Sequence, residues 1–433
     1  MPLDPGTTDH TGTTTTGTAP APGPRPATGP RPAAVHGPAH DLAVRFLQRW
    51  SAAPGRRPAA PGDPGVPVLA RLVARSGAPG AEETAARAVA VWARTAGHGR
   101  GHPGLYDGGL AGTLAGLRLG AGLHPVLHTA ADRLRDRLTA TATRDRRRDR
   151  VGFADYDLVL GPAGTLLALC AGDRPAAVLL RPFTHHLVAL CDRDDLPRLR
   201  AGRYAGHPQL AWLQGRINTG MGHGVAGLAA ALTAAVRHTA PASGPEPELT
   251  AALRRATRWL AGQAYDDARG VRSWPGAGLD GTPPPAGAQA RQAWCYGNPG
   301  VPWALWDAAD ALGDAAAAER AAAAFGTLAE RYDEDFHLFG DRPDDLLGLC
   351  HGAGGVLAVA DAFRRHAGLP AATALADRLT GHLEERLTAK RVLGTPPAGM
   401  SDGLLGGAPG ALSALLTARH GADRAWLPCL GLR

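Results

Sequence analysis

The sequence predicts an all-α protein in which helical hairpins form a closed ring. Ala, Leu and Gly dominate the composition, whereas aromatic residues make up only 5 %. Such a composition favours closely packed helices, because β-sheets are rich in Val, Ile, Tyr and Phe. Two further observations support this fold class: a motif that recurs along the chain, and the helical spacing of apolar residues between its copies.

Each copy of the motif has a turn, two glycines three residues apart and an Ala/Leu-rich run. Six copies are visible, with glycines at Gly109/Gly112, Gly161/Gly164, Gly224/Gly227, Gly297/Gly300, Gly352/Gly355 and Gly407/Gly410. A glycine inside a helix costs about 1 kcal/mol relative to alanine, so six pairs need a geometric reason. A ring in which neighbouring helix starts approach closely supplies one. A helical layer before Gly109 would add a seventh unit, although no clear glycine pair marks it.

The elements follow in order from the N-terminus. Residues 1–40 are a Thr/Pro/Gly/Ala tract, which buries too little apolar surface to fold, so we predict that it is disordered. The first amphipathic helix should begin near Asp41, with Leu42, Phe46 and Trp50 on one face. A Pro/Gly-rich loop follows. The intervals between glycine pairs then fit an inner helix and a longer, amphipathic outer helix in each unit.

Charge and cysteine content limit the class of protein. The formal net charge is +7 and comes almost entirely from arginine, since Lys390 is the only lysine. The chain is also rich in Ala, Gly and Pro, so the arginine excess looks like codon composition and we predict no nucleic-acid partner. No signal peptide precedes the cysteines, and no segment approaches the roughly 18 apolar residues of a membrane span. A cytoplasmic location is expected, where clustered cysteines bind metal or act in catalysis.

The repeat alignment brings the chemically distinctive side chains into equivalent positions. The residue before the first glycine is His223, Tyr296 and His351 in the third, fourth and fifth repeats, and the residue before that is Cys295 in the fourth and Cys350 in the fifth. In a ring these positions face the same central axis. We therefore expect residues that are far apart in the sequence to converge there.

Cys295, Cys350 and His351 are soft ligands that suit one zinc ion per chain. Three protein ligands leave the fourth tetrahedral position open, which is typical of catalytic zinc sites. Helix N-termini also favour thiolates through their partial positive charge. The alternative is that the two cysteines are small buried apolar residues. Their equivalent positions in neighbouring repeats, one followed by histidine, favour the metal site.

Three segments resemble the signatures of one known family. WCYGNPG at 294–300, GLCHGAGG at 348–355 and GHGVAG at 222–227 look like those of the lanthionine synthetase C-like cyclases. The resemblance covers residues 41–433 and implies an α/α toroid of seven helical hairpins with one catalytic zinc at its centre. Members that make lanthipeptides join a cysteine thiol of a precursor peptide to a dehydroalanine or dehydrobutyrine of that peptide, giving a thioether ring. Cys-His rather than Cys-Cys after Gly-Leu resembles the stand-alone cyclases.

The resemblance also implies roles for four residues around the zinc. His223 would be the acid/base group, Arg291 would stabilise the enolate, Asp157 would orient the histidine, and Tyr296 would hydrogen-bond the substrate or intermediate. Each has a structural alternative: a capping or packed histidine, a salt-bridged arginine, a helix-capping aspartate and a packed tyrosine.

The implied partners are a dehydrated precursor peptide, a separate dehydratase and an exporter, with the enzyme in the cytoplasm or held at the membrane by that complex. A second hypothesis follows from eukaryotic relatives with the same zinc motif, which bind glutathione; the chain would then be a thiol-binding interaction protein without ring-forming activity. The codon-like composition favours a bacterial source and hence the cyclase. A third hypothesis, a helical glycoside hydrolase, needs facing carboxylates near the axis, where this sequence has Cys, His and Tyr.

Overall fold

The computed structural model describes residues 37–52, 60–99, 101–142, 146–239, 246–420 and 423–433. Most of the tract predicted to be disordered, residues 1–36, lies outside them. The first helix begins at Pro38, three residues before the predicted start, and it buries Leu42, Phe46 and Trp50 as expected. Among the described helices, none has both the length and the apolar composition needed to cross a membrane.

The regular secondary structure of the described chain is almost entirely helical. The helices are α1 (Pro38–Ala52), α2 (Gly65–Arg75), α3 (Ala81–Ala96), α4 (Leu110–Gly120), α5 (Leu127–Ala140), α6 (Pro162–Cys170), α7 (Ala177–Leu190), α8 (Val225–Thr239), α9 (Pro247–Ala261), α10 (Gly300–Leu312), α11 (Ala315–Arg331), α12 (Glu334–His337), α13 (Pro343–Leu347), α14 (Ala353–His366), α15 (Pro370–Arg386), α16 (Ala389–Leu393) and α17 (Ala408–His420). A short antiparallel pair, β1 (Tyr265–Asp266) and β2 (Arg272–Ser273), follows α9.

Seven of these helices form the inner wall of a ring. Helices α2, α4, α6, α8, α10, α14 and α17 each pack against the next, and α17 packs against α2 to close the circle. Helices α3, α5, α7, α9, α11 and α15 are the outer partners of the first six. The seventh outer helix is α1, which packs against α17 and α3 from the other end of the chain. The predicted α/α toroid of seven hairpins is confirmed.

The inner helices begin at the predicted glycine pairs. In five of them, α4, α6, α8, α14 and α17, the residue before the helix is the first glycine of the pair, whereas α10 begins at the second, Gly300. The first inner helix has its own pair, Gly62 and Gly65, which the sequence analysis missed. The sequence Gly-Asp-Pro-Gly lies in the segment predicted to be a loop, so its Pro/Gly richness concealed a seventh helix start.

The second glycine of each pair is required by the segment that leads into the same helix. A Cβ built there would lie 1.8–2.2 Å from a backbone carbonyl oxygen of that segment in the six pairs beginning with Gly109/Gly112. The nearest side chain of the preceding repeat is farther away, at 2.8–3.3 Å. Close approach is therefore the reason for the glycines, as predicted, but the chain's own turn is nearer than the neighbouring helix.

Hydrogen bonds between these turns hold them in a circle. A backbone N–H of one turn donates to a carbonyl of the next, and the bonds include Leu158 to Gly222 (3.3 Å), Met221 to Cys295 (2.9 Å), Cys295 to Cys350 (3.4 Å) and Cys350 to Leu405 (2.9 Å). At the junction of the last and first repeats, the Leu404 N–H instead donates to Asp63 Oδ1 at 2.7 Å. The positions that carry the chemically distinctive residues are thus fixed by backbone contacts.

Candidate metal centre and active site

Three ligand-type atoms meet where the turns before α10 and α14 adjoin. Those of Cys295, Cys350 and His351 all lie within 4.8 Å of one another. His351 Nε2 is 3.6 Å from Cys350 Sγ. Tetrahedral zinc, with Zn–S of about 2.3 Å and Zn–N of about 2.0–2.1 Å, requires a sulfur–nitrogen separation of about 3.6 Å. Donor chemistry and spacing therefore both fit zinc.

The protonation of these groups also suits a dication. The hydrogen bond between the two thiols lowers the pKa of Cys350 and raises that of Cys295, so Cys350 is the cysteine that more readily becomes a thiolate. The same Cys350 sulfur raises the pKa of His351 through a hydrogen bond. A bound dication would favour release of the remaining protons, because metal ligands must be deprotonated.

A hydrogen-bonded Asp–His pair lies next to this cluster. His223 Nδ1 is 2.5 Å from Asp157 Oδ2. Burial, the largest influence, disfavours the charged imidazole, but the hydrogen bond and charge of Asp157 outweigh it and raise the pKa of His223, with a smaller contribution from Cys350. Asp157 Oδ1 accepts the N–H groups of Leu160 and Gly161 at the start of α6. The aspartate thus holds the turn that precedes α6 and also contacts the histidine.

Two aromatic residues also support His223, one at its ring and one at its backbone. Phe153 stacks on the imidazole with a centroid separation of 4.3 Å and an interplanar angle of 21°. The Tyr156 hydroxyl donates to the His223 carbonyl at 2.7 Å. With Nδ1 engaged by Asp157, the nitrogen left for proton exchange is Nε2. The arrangement holds the histidine in one orientation at the edge of the metal cluster.

Arg291 shows no salt bridge among the described residues. Its Nη1 is buried there without a hydrogen-bond partner. Its guanidinium lies over the ring of Phe339, with Cζ 3.9 Å from the centroid. Because an unpaired buried N–H is costly, this atom is suited to an oxyanion of a bound molecule.

Tyr296 is half-buried, and its hydroxyl accepts a hydrogen bond from Asn218 Nδ2 at 2.8 Å. Burial raises the pKa of Tyr296 to about 12, so it is a neutral hydroxyl at physiological pH. The structure thus places Tyr296 beside the cluster, as expected from its repeat position. The sequence did not predict Asn218, Phe153 or Phe339 at the site, since each lies outside the repeat motif.

Comparisons with known proteins agree with this architecture. Residues 82–430 match the family described as lanthionine synthetase C-like protein. Among solved structures, nisin cyclase is similar at 17 % identity with a TM-score of 0.69, over 91 % of this chain and 97 % of that one. At that identity the likeness shows the fold alone. A search of curated proteins found no match. The family match spans most of the chain, and the protein therefore belongs to the lanthionine synthetase C-like family.

Proposed function

We propose that this chain is a zinc-dependent lanthipeptide cyclase. It adds a cysteine thiol of a dehydrated precursor peptide to a dehydroalanine or dehydrobutyrine of the same peptide, which forms a lanthionine or methyllanthionine ring. The observation that carries the proposal is the adjacency of two groups: the Cys295, Cys350 and His351 cluster, and the hydrogen-bonded pair of Asp157 and His223.

The three clustered residues would hold the zinc ion. When bound, zinc supplies a Lewis acid that lowers the pKa of a coordinated thiol and so favours a nucleophilic thiolate at neutral pH. Cys295 is buried, whereas Cys350 and His351 are half-buried. Access for a peptide thiol is therefore expected from the side of Cys350 and His351.

The addition needs proton transfers that the chain's own residues can make. The peptide thiol loses its proton, its sulfur bonds to the β-carbon, and the carbon–carbon π electrons move onto the adjacent carbonyl to give an enolate. A proton must then reach the α-carbon, so the product has the same atoms as the reactant. His223 is the proposed donor at Nε2, because Asp157 raises its pKa and thereby keeps a larger fraction protonated.

Arg291 and Tyr296 are the proposed partners of the enolate. The buried Arg291 Nη1 has no partner among the described residues, and a guanidinium stabilises developing negative charge. Phe339 lies against the guanidinium and limits its orientations. The Tyr296 hydroxyl accepts from Asn218, which leaves its proton free to be donated to substrate.

The proposal extends to the setting of the reaction. Residues 41–433 are the proposed catalytic domain, and residues 1–40 a disordered tail. The proposed partners are the dehydrated peptide, a separate dehydratase and an exporter, in the cytoplasm or at the membrane surface through that complex.

The test uses a synthetic peptide that carries one dehydroalanine and one cysteine. Ring closure leaves the mass unchanged but removes the free thiol, so mass spectrometry after alkylation with N-ethylmaleimide measures it. The wild type should cyclise the peptide. His223→Ala should retain one zinc ion but lose roughly 10²- to 10⁴-fold in rate, the usual contribution of general acid–base catalysis.

His128→Ala is the matched control, because His128 is exposed on the outer helix α5. Its rate should equal that of the wild type. A zinc-loaded wild-type protein that bound glutathione but left the peptide thiol free would refute the cyclase and favour the thiol-binding alternative. Unchanged ring closure by His223→Ala would show that His223 is not the proton donor.

A further inference from the structure

An exposed tryptophan lies beside the candidate active site. Trp212 is 46 % exposed, whereas the other eight tryptophans, all of them in described residues, are buried or half-buried. Four large apolar side chains of the described chain are strongly exposed, and Trp212 and Phe339 are two of them. An exposed indole sacrifices the burial that normally stabilises this side chain. A bound ligand that covered the indole would restore this burial.

Trp212 is held in place rather than loosely attached. It lies in a 3₁₀ turn, Ala211–Leu213, and its Nε1 donates to the Gln209 carbonyl at 2.9 Å. The next residue, Leu213, is buried in a small apolar cluster separate from the main core, together with Tyr204. That cluster also packs against Phe153, the ring that stacks on His223. One satellite core thus positions both the histidine and the tryptophan.

Contacts at Gly276 connect the indole to the metal cluster. A Cβ built on Gly276 would lie 3.2 Å from Trp212 Cη2 and 3.7 Å from Tyr296 Cε1. The two rings therefore converge on one glycine, and Tyr296 directly follows the ligand Cys295. Phe339, the other exposed ring near the cluster, contacts Arg291. Two exposed aromatic side chains therefore lie beside residues 291–296: Trp212 is near Tyr296, and Phe339 contacts Arg291.

We propose that Trp212 binds the dehydrated peptide, with a dehydroalanine or dehydrobutyrine stacked against the indole, and that Phe339 provides a second aromatic contact. The proposal rests on the cyclase function and names the substrate feature that is recognised. A dehydro residue is flat, because its carbon–carbon double bond is conjugated with the adjacent carbonyl. A flat π system stacks on an indole, whereas the tetrahedral α-carbon of an ordinary residue does not permit that contact. Trp212 would thus select dehydrated over unmodified peptide.

Such a contact would act on occupancy of the site by the peptide. Binding that is equally strong in the ground state and the transition state lowers KM and leaves kcat unchanged. A precursor peptide is an open chain whose cysteine and dehydro residue must meet at one point. A fixed indole near the metal cluster would bind one of these two groups, the dehydro residue.

The experiment uses two fluorescein-labelled peptides that cannot cyclise, because serine replaces their cysteine. One carries a dehydroalanine and the other an alanine at the same position, and fluorescence anisotropy measures their affinity for the zinc-loaded protein. The wild type should prefer the dehydroalanine peptide. Trp212→Ala and Trp212→Leu should each weaken its binding roughly tenfold and abolish the preference, while Trp212→Phe should largely preserve it. Val178→Ala, an exposed apolar residue on α7, should behave as wild type.

The cysteine-containing dehydroalanine peptide supplies the kinetic readout. In Trp212→Ala, KM should rise roughly tenfold while kcat stays within about twofold, which a merely structural role would not produce. Zinc content and melting temperature verify the fold of each variant. Equal affinity of wild type and Trp212→Leu for the dehydroalanine peptide would overturn the proposal, as would a wild type without preference. A wild type that prefers the dehydroalanine peptide yet closes no ring would instead refute the cyclase function.

Discussion

The glycine pairs allow a test of why the ring needs them, because two glycine-to-alanine changes in helices should act in opposite directions. Gly112 lies in the first turn of α4, and a Cβ there would be 2.2 Å from the Leu105 carbonyl oxygen. Ordinary contact begins at 3.4 Å, so two backbone segments would have to separate by about 1.2 Å. Gly381 lies inside α15, where an added Cβ has nothing within 4 Å.

The expected free energies follow from these contacts. Overpacking a rigid site costs about 3 kcal/mol at the upper end of its usual range, and alanine regains about 1 kcal/mol through helix propensity. Gly112→Ala should therefore destabilise the protein by about 2 kcal/mol. Gly381→Ala should stabilise it by about 1 kcal/mol, since only the propensity changes.

Urea denaturation of the zinc-loaded protein, followed by circular dichroism, measures both changes as shifts in midpoint. Gly112 is not among the residues proposed to act on substrate, and the measurement reports stability rather than catalysis. A midpoint for Gly112→Ala at or above that of the wild type would refute the argument from close approach. If Gly381→Ala proved as destabilising as Gly112→Ala, the loss of stability would follow from replacing any helical glycine and not from the contact with the turn.

The remaining predictions concern the metal cluster and the histidine. Cys350→Ala should lose tightly bound zinc and ring closure together. Cys191→Ala, which changes a buried cysteine outside the cluster, should keep one zinc ion by metal analysis. A Cys350→Ala protein that retained its zinc ion would exclude this ligand set. Asp157 raises the pKa of His223, so the protonated donor persists to higher pH in the wild type than it would without the aspartate. Asp157→Asn should therefore shift the alkaline limb of the pH–rate profile to lower pH at unchanged zinc content, and a limb that does not move would show that His223 is not the titrating donor.

The satellite core has a wider consequence for the proposed cyclase function. Phe153 and Trp212 reach the site from segments that belong to no repeat, yet both depend on the cluster around Leu213 and Tyr204. The ring itself supplies the candidate metal ligands and His223. The segments between repeats would therefore set which peptides are accepted, while the repeats set the chemistry.

The sequence by itself determined the helical class, six of the seven inner helix starts and the positions where Cys295, Cys350, His351 and His223 converge. It did so because a repeat converts local spacing into spatial proximity: equivalent positions of stacked units must face the same axis. The partner of Asp157 came from the family resemblance and not from the repeat, and its hydrogen bond to His223 joins the turns of neighbouring repeats.

Only the tertiary structure decided what lies outside that periodicity. The pairing of α1 with α17 depends on the two ends of the chain meeting, and no local pattern records that closure. Gly62 and Gly65 were concealed by flanking prolines and glycines typical of a loop. Phe153, Trp212 and Phe339 sit in irregular segments, whose paths are set by packing between distant residues rather than by any sequence period. The ring could therefore be predicted from the sequence, whereas the aromatic side chains around the candidate active site could not.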